Sequence, residues 1–112
     1  MKKITPTHPG KILSEEFLKP LNITPYRLAK DISVPAMRIS EIIRKKRAIS
    51  ADTALRLAKY FGTSPQFWAN LQSHYGLEIE KDKLASVLKK EVIIHTPTKT
   101  KNSMKSAPVF AR

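Results

Sequence analysis

An all-α bundle of five helices is the fold class that this 112-residue chain predicts. Three observations carry the prediction. Apolar residues recur at three- and four-residue spacing, no stretch alternates as a half-buried strand would, and Ser/Thr–Pro pairs punctuate the chain where helices should start.

Each element can be justified in order. Pro9 in a first helical position, followed by Ile12, Leu13, Phe17 and Leu18, predicts an opening helix that Pro20 stops. Thr24-Pro25 is a cap and first-turn pair for a second helix running to about Ile32. Ser33-Val34-Pro35 turns the chain, because a residue ahead of proline is pushed away from helical angles. Pro35 then opens a third helix ending near Arg44 or Lys45. Ser50 caps a fourth through Phe61, with Ala54, Leu57, Ala58 and Phe61 on one side and Gly62 as its stop. Ser64-Pro65 begins a fifth, carrying Phe67, Trp68, Leu71 and Tyr75, and Gly76 is expected to end it. Leu84, Val87 and Leu88 line an additional helix, with Asp82 near its start and Lys89-Lys90 near its end as the helix dipole favours. The expected organisation is an N-terminal extension over 1–7, a helical domain over 8–77, the extra helix over 78–91 and a flexible basic tail over 92–112. That tail holds Lys99, Lys101, Lys105 and Arg112 with no acid beyond Glu91.

Composition narrows the function. The chain has 21 Lys and Arg against 9 Asp and Glu, a formal charge of +12, which favours a polyanionic partner. It has no cysteine, and His8, His74 and His95 are too scattered for ligand spacing, so no metal or other cofactor is expected. No apolar run suits a membrane span or a secretion signal, which points to the cytoplasm and to no membrane partner. Catalysis finds no support: Ser40 and Glu41 are neighbours on a helix and do not face one another, and the glycines sit at expected helix ends rather than in a phosphate-cradling loop.

The informative segment is Pro25–Arg44. Leu28, Ala29, Ile32, Val34, Ile39 and Ile42 would face inward, building two short helices that cross sharply with the small Ala29 at the crossing. The outer face of the second, beside the run Arg44-Lys45-Lys46-Arg47, suits the major groove of DNA. Ala36, Met37, Ser40 and Glu41 are then candidates for base edges, with Arg38 on the flank reaching guanine or phosphate. Thr24, Arg27, Arg44, Lys45, Lys46 and Arg47 are candidates for phosphates. The turn position that most favours glycine, because it tends to positive φ, holds Ser33. Phe67, Trp68, Leu71 and Tyr75 are most simply core. The sharper alternative places Trp68, Leu71 and Tyr75, with Leu84 and Leu88, in a two-fold interface that would set two reading helices about 34 Å apart.

The stretches HPGKILSEEFLKPL, YRLAKDISVPAMRISEIIRKKRAIS and ADTALRLAKYFGTSPQFWANLQSHYGL together resemble the HigA antitoxins, also called virulence-associated protein I, within the Xre/Cro-like helix-turn-helix class. The likeness covers about residues 8–77. Ser33 where glycine is commoner, and Lys46 where glycine often precedes Lys/Arg, are departures, and the chain beyond Glu80 lies outside it. The resemblance implies a lambda-repressor-like domain and a homodimer that binds double-stranded operator DNA. It also implies a HigB-type ribonuclease toxin that the protein silences while repressing the shared operon. Acidic Glu15, Glu16, Glu78, Glu80 and Asp82 are candidate toxin contacts. Two alternatives stay open: a stand-alone regulator with no toxin, and a protein-interaction module whose DNA binding is vestigial.

Overall fold

Side chains of the predicted capping residues set the helix starts in the computed structural model, which describes residues 6–96. There are five helices and no strand among the described residues. Helix α1 begins as Pro9–Ile12, widens into a π-helical stretch over Leu13–Leu18 and closes as Lys19–Leu21. Its N-cap is His8, whose Nδ1 accepts the Gly10 N–H at 2.8 Å. Helices α2 (Pro25–Asp31), α4 (Ala51–Phe61) and α5 (Pro65–Glu91) start behind Thr24, Ser50 and Ser64. The three hydroxyls accept the N–H groups of Arg27, Thr53 and Phe67 at 3.1, 3.3 and 3.1 Å. Helix α3 (Ala36–Ile43) starts one residue later than expected, because Pro35 stays extended as its N-cap.

Three boundaries depart from the sequence reading. Pro20 does not stop α1 but sits in its last turn. The π-helical widening carries the Lys19 N–H back to the Ser14 carbonyl, so the ladder has already shifted where proline has no N–H to give. Gly76 does not end the fifth helix either, and the sixth is its continuation, since α5 runs unbroken through Gly76 to Glu91. A lone glycine costs a helix only about 1 kcal/mol relative to alanine, too little to break a long helix. The expected boundary between 77 and 78 therefore carries no helix break. The chain divides instead into two compact units, Met1–Asp82 and Lys83–Arg112. Described residues of the second unit finish α5 and end in the non-helical, exposed Val92–Thr96. The rest of the predicted basic tail, with Lys99, Lys101, Lys105 and Arg112, lies outside the described residues, as do the first five residues of the N-terminal extension.

The first unit is closed by one core. Leu13 of α1, Leu28 of α2, Ile39 and Ile42 of α3, Leu57 of α4 and Trp68 of α5 are all fully buried. Phe17 packs against both Phe61 and Trp68 in tilted geometry, with ring centroids 4.9 Å from each. Ala29 is buried where α2 and α3 pack, as its small side chain predicts. At the other end of α3 the backbone of α1 approaches so closely that a Cβ at Gly10 would collide with the Ile42 carbonyl.

Among the described residues three non-glycine residues adopt left-handed backbone angles, Asn22, Ser33 and Lys45. Each ends a helix in the same way. The Asn22 and Ile23 N–H groups return to the Lys19 and Leu18 carbonyls, those of Ser33 and Val34 to Lys30 and Ala29, and those of Lys45 and Lys46 to Ile42 and Glu41. These are Schellman ends, which glycine usually completes. The position reserved for glycine in the turn is thus left-handed, with φ +59 at Ser33. At the second family departure the left-handed residue is Lys45 rather than Lys46.

Two consequences are measurable. Gly10→Ala should destabilise the protein by about 2–3 kcal/mol in chemical denaturation, because backbone rather than a side chain must give way. Ser33→Gly should stabilise it by about 1 kcal/mol in the same assay, through relief of left-handed strain.

Candidate nucleic-acid interface

Helix α3 presents the surface that its periodicity promised. Ile39 and Ile42 face inward, Ala36 is exposed, and Met37 is 63% exposed on the opposite side. Ser40 and Glu41 are half-buried beside them. Arg47 donates from Nε to Glu41 Oε1 at 2.8 Å, so the one acid on this face is paired and its partner is drawn from the phosphate candidates. Arg44, Lys45 and Lys46 are exposed and have no carboxylate within salt-bridge distance among the described residues. Thr24 and Arg27 lie at the start of α2, where Thr24 is occupied as the cap and Arg27 pairs with Asp31 at 2.9 Å.

Arg38 is placed differently from its neighbours. Its side chain is only 25% exposed and its guanidinium turns toward α4, donating to Asp52 Oδ2 at 3.1 Å and to Thr53 Oγ1 at 3.4 Å. The other oxygen of Asp52 accepts from Arg56 Nε at 2.7 Å. Arg56 also donates from Nη1 to the carbonyls of Ile32 at 2.7 Å and Ser33 at 3.2 Å, gripping the turn between α2 and α3. The bonds from Arg56, then Arg38, hold the Asp52 carboxyl below the ordinary aspartate range. Tyr60 donates to Asp31 at 2.7 Å and, with Arg27, lowers that carboxyl too, while the Tyr60 hydroxyl is raised in return. Asp52, Arg56 and Tyr60 fall at i, i+4 and i+8 and so share one face of α4, but apolar periodicity passes over them because they act through polar bonds to distant backbone and side chains. The only hint is that shared face.

The aromatic stretch divides between core and surface. Trp68 is fully buried and donates from Nε1 to Thr63 Oγ1 at 2.8 Å, so it is core and has no face to offer a second copy. This corrects its assignment to a two-fold interface. Leu71 is half-buried against the same core, and the Tyr75 ring meets the edge of His8 at 4.8 Å. Leu84 is half-buried, while Val87 and Leu88 are exposed. No group of His, Asp or Glu among the described residues is arranged to hold a metal ion. No described helix is long and apolar enough to cross a membrane.

A short helix pair gripped at its turn, with an exposed second helix and a cationic rim, defines the helix-turn-helix class, and residues 15–68 match the helix-turn-helix family. The chain is 44% identical to virulence-associated protein I of Dichelobacter nodosus over 85% of each chain. Among solved structures, Pseudomonas aeruginosa antitoxin HigA with the higBA promoter superposes with a TM-score of 0.79 at 43% identity, covering 81% of this chain and 99% of that one. An addiction module antidote protein of the HigA family from Coxiella burnetii gives 0.78 at 42% identity, covering 82% and 100%. The chain belongs to the HigA (virulence-associated protein I) family of helix-turn-helix antitoxins, a family of DNA-binding regulators rather than enzymes.

His8 gives this scaffold a pH dependence. It is buried, and burial first, then the charge of Lys45, lowers its pKa from 6.5. Neutral His8 is the form that accepts the Gly10 N–H, so the unfolded chain binds more protons just below pH 6.5. Stability is complete above that pH and should fall as pH drops from 6.5 toward the lowered value. His8→Asn, which keeps an acceptor and does not titrate, should shrink the loss in melting temperature between pH 7 and pH 5.

Proposed function

We propose that this protein is a cytoplasmic, dimeric DNA-binding antitoxin that represses its own operon and silences a HigB-type, mRNA-cleaving toxin encoded beside it. The exposed face of α3 carries the reading: Ala36 and Met37 project beside Ser40 and Glu41, and Arg44, Lys45 and Lys46, which have no carboxylate partner among the described residues, adjoin them. Apolar Ala36 and Met37 suit the thymine methyl group, and the Ser40 hydroxyl can donate or accept. The cations supply sequence-independent attraction to phosphate. Thr24 and Arg27 at the start of α2, and Arg47 if its pair with Glu41 opens, extend that contact. The relative bound to the higBA promoter supports operator DNA as the partner, and its name supports the toxin. Leu84, Val87 and Leu88, at three- and four-residue spacing on α5, are the apolar surface that the second unit offers for a two-fold contact, and the half-buried Leu71 and Tyr75 are the candidates of the first.

Footprinting upstream of the gene, with and without the neighbouring gene product, tests the reading. A protected two-fold site and co-purification with that product are expected, and toxin binding without a protected site would sink the operator half. Lys46→Ala should weaken operator and random duplex alike and flatten the plot of log affinity against log salt by about one unit. Leu88→Asp should give a monomer in light scattering at tens of micromolar and lower operator affinity at least tenfold, as expected when two half-sites no longer bind as one.

A further inference from the structure

Two guanidinium groups meet on the single carboxylate of Asp52, and they are not held equally. Arg56 has other acceptors in the carbonyls of Ile32 and Ser33, so it stays on the turn whatever Asp52 does. Among the described residues Arg38 has, besides Asp52, only the Thr53 hydroxyl at 3.4 Å. Arg38 sits in the first turn of α3, next to the exposed Ala36 and Met37, and unlike theirs its side chain folds away from that face toward α4. Freed, its long cationic side chain would lie beside the face offered to the groove.

We propose that Asp52 limits the sequence-independent part of DNA affinity without touching DNA: it holds Arg38 on α4 and withholds that cation from contact with phosphate. The inference rests on the DNA-binding reading above. It follows from how duplex binding divides. A cation on phosphate strengthens operator and random sequence by the same factor, whereas contacts to base edges strengthen only the operator. An Arg38 released onto phosphate would therefore raise the affinity for operator and random sequence together, leaving their ratio unchanged and holding more of the protein on random sequence, which outnumbers the operator. Lys45 and Lys46 already supply that attraction from the adjoining loop. Asp52 removes Arg38 from the set while Arg56 keeps the turn fixed. The same carboxylate therefore braces the module and trims its non-specific affinity.

Asp52→Asn preserves shape and removes the charge that holds Arg38. Binding to the footprinted operator fragment and to a scrambled duplex of equal length would be measured across a salt series, below the melting temperature of every variant. For Asp52→Asn the expected result is an affinity for the scrambled duplex about fivefold higher at 0.15 M salt and a salt slope steeper by about one unit, the signature of one new phosphate contact. Both changes should vanish in Asp52→Asn/Arg38→Ala, and Arg38→Ala alone should leave the slope at its wild-type value. A slope change that persists in the double variant would mean that loss of repulsion by the acid is the cause, and the proposal fails. It also fails if Asp52→Asn changes nothing, or if Arg38→Ala alone flattens the slope. Should Asp52→Asn not fold, Arg38→Ala still decides, since it leaves the start of α4 intact. Absence of any discrimination by the wild-type protein would overturn the DNA-binding reading itself, a different result from all of these.

Discussion

The approach of the α1 backbone to the end of α3 is the constraint on which the arrangement turns. Gly10 has no side chain, and the space a Cβ would need is occupied by the Ile42 carbonyl. That contact sets where the exposed helix ends. His8, capping α1 through the Gly10 N–H and meeting Tyr75 of α5 with its ring edge, holds the contact from behind. At the opposite end, Arg56 grips the carbonyls of Ile32 and Ser33. Between these two points α3 is fixed through backbone groups, so its outer side chains can vary without loosening it. The Ile49 N–H, which donates to Gln72 Oε1 at 2.8 Å, ties the following loop to α5 in the same manner.

Local chemistry was the part of the fold most open to reading from sequence. Thr24, Ser50 and Ser64 cap helices because a hydroxyl ahead of a helical first turn satisfies N–H groups that would otherwise lack partners. The inward positions Leu28, Ala29, Ile32, Ile39 and Ile42 followed from spacing alone. What misled was each residue whose local tendency is weaker than its setting. Pro20 is absorbed by a π-helical turn, and Gly76 is carried by a helix of 27 residues. The candidate site was half legible for a related reason. Spacing identifies which way a Cβ points, so Ala36 and Met37 were placed on the outer face. It is silent on where a long side chain ends, so the turn of Arg38 onto Asp52 and of Arg47 onto Glu41 could not be read. Trp68, an aromatic at a helical repeat, fits a core and an interface equally by pattern, and only burial separates them.

The charge of the chain is more selective than its total suggests. Of the cations around the helix pair, Arg27, Arg38, Arg47 and Arg56 are paired with carboxylates and positioned by them. Surface pairs of this kind add little to stability. Their effect is to direct guanidinium groups to fixed places. Among the described residues Lys30 on α2 and Arg44, Lys45 and Lys46 are left without carboxylates, and the last three fall together immediately after α3. An excess spread through the sequence thereby becomes a local rim of positive potential.

The exposed thioether of Met37 has a thermodynamic corollary. In the free protein its apolar surface is wetted, beside an acid whose charge Arg47 has cancelled. A ligand surface rich in methyl groups would dry that patch, whereas a polar one would leave it hydrated. Recognition through such a face carries a negative heat-capacity change that grows with the fit, so calorimetry across temperature would report complementarity even where no new hydrogen bond forms.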